Sequence, residues 1–294
     1  MTTTGVGRTA APLWILVAFA LHAPADAPLS IRPVGPRPEG FSRVFNRRID
    51  VFGLAVYATA KVPERKLLHA AGVLAQYLDN DADGKPDNRH VIVALREARG
   101  IVFMFATSRA FERIDVHRHI PPRVWNRMMT IGLFADETRP VGGARGEFDA
   151  SLEEVLHLVT SGGYSKAYPE IFGERPGTAI ARAMDRARGG FFRRVPRVYP
   201  RRAWYSYDDR SCDYGCQITE YFYWGLTSLL GGQDYPGRAA EIAREWKLNT
   251  PEKLKRGDPP LFGLLSDPKY DFPQRLPDGK YRVRSAPPDR GLCP

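Results

Sequence analysis

The sequence predicts an α+β fold, a small α/β layer followed by a helical half, built as one compact domain over residues 46–285. Three observations lead there. Short runs rich in β-branched and aromatic residues lie before residue 140, between helical or turn-forming stretches. Past Glu147 the apolar residues recur at helical spacing almost without interruption. A hydrophobic fraction of 43% and an aromatic fraction of 11% over 294 residues are ample for a packed core and exclude a disordered chain.

The elements follow in chain order. Arg8 is the only charge ahead of the apolar run "PLWILVAFAL" (12–21), and Ala23-Pro24-Ala25 fits a small-residue cleavage site. Residues 1–25 therefore read as a signal peptide, and the protein as secreted or periplasmic. The run is too short to span a bilayer and no longer one follows, so no membrane span is expected. Residues 26–45 are Pro-rich and read as a linker. "IDVFGLAVYAT" (49–59) reads as a strand, 63–78 and 88–100 as helices, 101–107 as a buried strand and 127–138 as an edge strand. Helices are expected over 151–162, 176–190, 216–231, 237–246 and 259–266. The remainder is a turn-rich stretch that wraps the surface, ending in a tail at 286–294. No internal repeat is found.

Export makes disulfides possible, and the three cysteines, Cys212, Cys216 and Cys293, leave one thiol over. Cys212 and Cys216 can bridge across a turn, or Cys293 can clip the tail down. The net charge of +10 comes from 43 basic residues of which 34 are Arg, a bias of composition rather than a nucleic-acid surface. The densest cluster, Arg193, Arg194, Arg197, Arg201 and Arg202, reads as a solvated Pro-containing loop, because no nucleic-acid module accompanies it.

"DNDADGKPDN" (79–88) is the sharpest local motif. Asp79, Asp81, Asp83 and Asp87 would repel one another without a cation between them. They stand at positions 1, 3, 5 and 9 of a loop whose sixth residue, Gly84, permits a sharp turn. The carbonyl of Lys85 would supply the seventh-position oxygen. The ten residues resemble EF-hand and thrombospondin type 3 calcium loops, and the resemblance implies a structural Ca²⁺ joining two helices. His90 stands where an EF-hand has its bidentate Glu. A solvated acidic turn is the plain alternative.

The second constellation is spread over two helices. In "SLEEVLHLV" (151–159), Glu153 and His157 are four apart and share a helix face, with Thr160 and Tyr164 continuing it. The strongly apolar helix at 217–231 carries one carboxylate, Glu220, which must find a metal, a cation or a donor if it is buried. An ordinary helix start explains the first pair equally well: Ser151 and Glu154 spell a capping box, and Glu153 lies in the first turn. His157 would then simply hydrogen-bond Glu220.

The short helix ending in His, followed later by Glu220-Tyr221-Phe222, resembles the gluzincin metallopeptidases of the lethal-factor and Pro-Pro endopeptidase type, over residues ~100–235. That resemblance implies a zincin-like core in which His157 and Glu220 are metal ligands, Glu154 is the general base, and Tyr207, Tyr214 or Tyr221 supplies a phenol. Glu153 occupies the place of the family's first His. The Glu-Glu-His set is neutral against a divalent ion, so it implies Zn²⁺ with weakened hydrolytic power, or a harder transition metal. The chain is also similar to secreted proteins of unassigned activity that share "EEVLH" and "EYFYWG". A di-iron bundle would need a second E-x-x-H, which is absent. His69 on its helix reads as packed or capping, and "VHRH" (116–119) as a loop. The sequence thus points to a metalloprotein with a structural calcium loop that cleaves peptides if active, or to a non-catalytic calcium-binding module with a degenerate core.

Overall fold

The computed structural model describes residues 29–140 and 147–284. The signal-peptide segment, Cys293 and the tail at 286–294 lie outside them. The protein is mixed α/β, with an open sheet in the order β1-β2-β3-β4-β5. β1 (Arg32–Pro33), β2 (Arg47–Val51) and β3 (Leu54–Ala58) pair antiparallel, while β4 (Ile101–Phe105) and β5 (Thr130–Phe134) add in parallel.

The stretch predicted as one strand over 49–59 is a hairpin. Phe52 (φ 48°) and Gly53 (φ 85°) both adopt positive φ, the conformation that two-residue hairpin turns require. A Cβ on Gly53 would lie 2.9 Å from Arg96 Nε, so glycine also allows the close approach of that side chain. Alternation sends the two faces of the sheet to different cores. Ile49, Val56, Val102 and Met104 join the main core beneath the helices. Ala55, Tyr57, Ile101, Phe103 and Phe105 join a smaller aromatic core on the other face. Residues 29–45 are not a free linker. They supply β1 and the helix α1 (Phe41–Val44), and Phe41 and Phe45 are buried in the second core. Alternate burial of an aromatic every four residues outweighs the proline content here.

The crossover from β3 to β4 holds two helices, α2 (Glu64–Leu78) and α3 (Arg89–Glu97), with the acidic loop between them. Asn88 caps α3 by accepting from Val91 N–H at 3.0 Å. Residues 108–125, between β4 and β5, form three short helices that cover the aromatic core; "VHRH" is one of them rather than a loop.

Beyond the undescribed 141–146, the site helix (Ala150–His157) runs directly into a π-helix (Leu158–Tyr164). This differs from the expected regular helix over 151–162. The wider π turn carries Thr160 and Tyr164 off the Glu153/His157 face: Thr160 Oγ1 turns back to Leu156 O at 3.0 Å, and Tyr164 stacks on Phe272 with centroids 4.2 Å apart. Gly162 and Gly163 let α3 lie against this turn; a Cβ on Gly163 would meet Val91 Cγ1 at 2.7 Å. The partner helix (Tyr214–Leu229) crosses the site helix, and the predicted helix over 237–246 shortens to Arg238–Glu241. Residues 267–284 strap α2, where Gln76 Oε1 accepts from Asp278 and Gly279 N–H at 3.0 and 2.7 Å. No helix among the described residues is long and apolar enough to cross a membrane.

Candidate metal centre

The N-cap of the site helix lies two residues earlier than its sequence suggests. Asp149 is the N-cap: Oδ1 accepts from Ser151 N–H at 3.2 Å and from Arg139 N–H at 2.9 Å, and Oδ2 accepts from Ser151 Oγ at 2.7 Å. The Ser151/Glu154 capping box is therefore not formed. Glu153 and Glu154 have no capping duty, although Glu153 still lies in the first turn, where the helix dipole favours an anion. His69 Nε2 lies 2.7 Å from Asp149 Oδ2, and both residues are buried. Burial alone would raise the Asp149 carboxyl, but the hydrogen bond and charge of His69, with the backbone donors, hold it below its usual range.

Glu153, His157 and Glu220 come together. Each offers a ligand atom within 4.8 Å of the other two. His157 and Glu220 are only 8% and 9% exposed. The separation of His157 Nε2 from Glu220 Oε2 is 3.7 Å, too long for the simple hydrogen-bonded pair, and Nε2 is buried with no hydrogen-bond partner among the described residues. A buried orphan of this kind costs about 1–3 kcal/mol. Donors at about 2.1 Å from one tetrahedral ion lie ~3.4 Å apart, close to the observed spacing. His157 packs edge-on to Tyr223, centroids 5.8 Å apart, which fixes its ring plane.

Electrostatics point the same way. Burial pushes Glu153 well above the usual carboxylate range, reinforced by the charges of Glu220 and Glu154. Burial, and then the Glu154 charge, pushes Glu220 up to about 8, against the opposing pull of the nearby Tyr207. Burial pushes Glu154 up to about 7, with a further push from Glu137. Burial lowers His157 to about 4, so its ring is neutral and keeps a lone pair at neutral pH. Burial beside a neutral imidazole favours the protonated form of these carboxylates, and a divalent ion among them would favour the ionised form instead while taking the lone pair of His157.

Glu154 stands on the other side of the imidazole, its Oε2 3.9 Å from Nδ1, with a side chain 36% exposed. Of the three phenols, Tyr214 donates to Asp185 Oδ2 at 2.9 Å and Tyr221 donates to Asp258, so both are committed elsewhere. Tyr207, half-buried, is the one beside Glu220.

Sequence reasoning missed the support behind Glu153. The Tyr223 phenol lies beside Glu153 and accepts from Gln233 Nε2 at 3.0 Å, while Gln233 Oε1 accepts from Arg238 Nε at 2.7 Å. Arg238 is buried, and its charge pulls on Glu153. Nothing in the Gly/Pro-rich segment around Arg238 signals this; only the Tyr223 position, one turn past Glu220, is readable. The sulfurs of Cys212 and Cys216 are at disulfide distance, 1.96 Å, across the start of the partner helix, where Asp213 caps by accepting from Cys216 N–H. Ser161 of the π-helix and Thr219 bridge the two helices at 3.2 Å, beside Glu220.

In the acidic loop Asp79, Asp81 and Asp87 converge, with ligand oxygens within 4.8 Å of one another. Gly84 takes φ 88°, the sharp turn its position demands. Asp83, expected as a fourth ligand, does not join them: its Oδ1 accepts from Lys85 N–H at 2.8 Å in a local turn. Asp79 is fully buried, accepts from Gly84 N–H at 2.8 Å and from the Tyr281 phenol, and burial raises its carboxyl. Burial, with the charges of the other three, pushes Asp87 up to about 6. His90 turns to Tyr168. The Arg193–Arg202 stretch is mostly exposed, with Val198 82% exposed. Comparison with protein-family models, with curated proteins and with solved structures found no match in any of the three.

Proposed function

We propose that this chain is a secreted or periplasmic metalloprotein. In it Glu153, His157 and Glu220 hold a divalent transition metal, Zn²⁺ foremost, and the acidic loop holds a structural Ca²⁺. The observation that carries the reading is the unpartnered, buried His157 Nε2 facing two carboxylates within ligand distance. The Cys212–Cys216 pair supports an oxidising compartment.

The proposed activity is hydrolysis of peptide bonds in a peptide or protein substrate. A bound metal would supply Lewis-acid polarisation and a lowered pKa for water. Glu154, beside His157 and partly open to solvent, would take a proton and return it to a leaving amine. Tyr207 would donate its phenol to negative charge developing on the substrate oxygen. The buried Arg238, linked through Gln233 to Tyr223, would help Glu153 ionise by its charge.

A second reading, a non-catalytic calcium-stabilised module, draws support from one observation. His157 and Glu220 are so nearly covered that an extended polypeptide has little of the metal face to reach. Glu154, on the Nδ1 side of His157, would then only orient the ring.

The test is the metal content of protein purified without added metals, with hydrolysis of a quenched-fluorescent peptide library measured on the same sample. One transition metal per chain, absent from His157→Ala and Glu220→Ala, is expected. Hydrolysis that disappears in Glu154→Gln while metal is retained selects the peptidase reading. Metal without hydrolysis refutes the peptidase activity, and a wild type that holds no metal beyond Ca²⁺ refutes the transition-metal centre and selects the second reading.

A further inference from the structure

The face of the sheet away from this centre carries a different kind of site. A cavity of about 490 Å³ opens at the β2–β3 turn, and six arginines line it: Arg37, Arg48, Arg96, Arg99, Arg123 and Arg127. They arrive from four separate segments: the stretch before α1, strand β2, the end of α3, and the stretch that starts at Pro122. Two carboxylates accompany them and both are engaged. Glu39 pairs with Arg123 at 2.7 Å, and Asp50 lies 3.4 Å from Arg48 and 4.0 Å from Arg32. Arg96 Nε donates to the Phe52 carbonyl at 2.8 Å. Arg37, Arg99 and Arg127 have no ion-pair or side-chain hydrogen-bond partner among the described residues. Arg48 Nε is buried and likewise has no hydrogen-bond partner among the described residues.

Gathering six guanidiniums against two carboxylates is unfavourable by itself, since like charges repel. One of them is held there against local preference as well. Arg99 has φ 51°, two residues past the end of α3, where glycine is the residue without a penalty. Strain at a residue that lines a cavity is a pointer to a ligand. The floor between the arginines is apolar, with Tyr57, Ile101 and Met128 among its residues. The volume lies within the roughly 300–1,000 Å³ of small-molecule sites.

We propose that this cavity binds a small organic molecule carrying a phosphate or sulfate group on an apolar body. The planar guanidinium fork matches a tetrahedral oxyanion in bidentate fashion, and the floor takes the apolar part. A bare inorganic anion would leave that floor wet, and a long polyanion would not need it.

The test is calorimetric titration of the full mature protein with 2-naphthyl phosphate, 2-naphthyl sulfate and 2-naphthol. One or both esters should bind, at least about tenfold tighter than the alcohol, and their ranking separates phosphate from sulfate. Arg99→Gly removes a charge and relieves the positive φ, so affinity should fall about tenfold while the melting temperature holds or rises. Arg127→Gln should weaken binding similarly, without loss of fold. Equal binding of 2-naphthol, an affinity unchanged in the Arg99→Gly/Arg127→Gln double variant, or binding only of long polyanions such as heparin would each overturn the proposal.

Discussion

Replacing Glu220 with Gln should stabilise the metal-free protein while abolishing its response to metal. Glu220 has a side chain only 12% exposed and a carboxyl pushed from 4.5 to about 8 by burial and by Glu154. Because the folded-state pKa is raised, the stability it contributes is full below pH 4.5 and is lost as pH climbs through 8. At pH 7 the folded state must hold a proton that the unfolded chain has released, a cost of about 3 kcal/mol, falling to ~1 kcal/mol at pH 5. Gln keeps the shape and does not ionise. Metal-stripped Glu220→Gln should therefore melt about 6–10 °C above metal-stripped wild type at pH 7, with a much smaller gap at pH 5. Added Zn²⁺ should raise the wild-type melting temperature increasingly as pH rises toward 8, when protons leave Glu220 and Glu153, and leave the variant unmoved. Scanning calorimetry at the two pH values, with and without Zn²⁺, reads all four states. A variant less stable than wild type at pH 7 without metal would show that Glu220 is already satisfied inside the protein, and the argument for a cation would fail.

Three further outcomes follow from the same geometry. Glu153→His should raise Zn²⁺ affinity at least about tenfold, because the site exchanges a carboxylate for a softer ligand and keeps a net positive charge; competition with a chromogenic chelator measures it. Ca²⁺ at about 100 times its dissociation constant should stabilise the wild type by about 2.7 kcal/mol in urea melts, and Asp81→Ala should remove most of that gain; an equal response in the variant would argue against the loop as the binding site. Asp149→Ala strips the site helix of its cap and leaves His69 without its partner, for a loss of about 2–4 kcal/mol in urea unfolding. The Asp149 contribution, from a depressed carboxyl, is present above pH 3.8 and is lost as pH falls through the folded value, so wild type and variant should converge in strong acid.

Much of the secondary structure was legible because period and caps are local. The helix at 64–78, the Asn88-capped helix after it and the strand at 101–105 follow from patterns within a few residues. The errors have equally physical causes. The hairpin at Phe52-Gly53 was hidden because Phe52 takes a positive φ that its residue type does not announce. The π-helix after His157 arises where Gly162 and Gly163 allow α3 to press close, a tertiary contact. Ser151 looks like a cap by spelling, yet Asp149 outcompetes it because His69 and Arg139 hold that carboxylate in position.

What the sequence determined by itself is the inventory of chemical groups: one carboxylate in a strongly apolar helix, a Glu and a His one turn apart, and an Asp-rich loop that turns on Gly84. Charge, polarity and spacing are properties of the chain, and they sufficed to say which groups would be costly to bury alone. Whether those groups meet depended on the crossing of two helices about 60 residues apart in sequence. That crossing is set by packing against α2 and β5, by the Ser161–Thr219 bridge and by the cap at Asp149. Burial did the rest, because the same Glu220 in water would be an ordinary acid. Enclosed beside Glu153, Glu154 and a neutral His157, it becomes a group that asks for a cation.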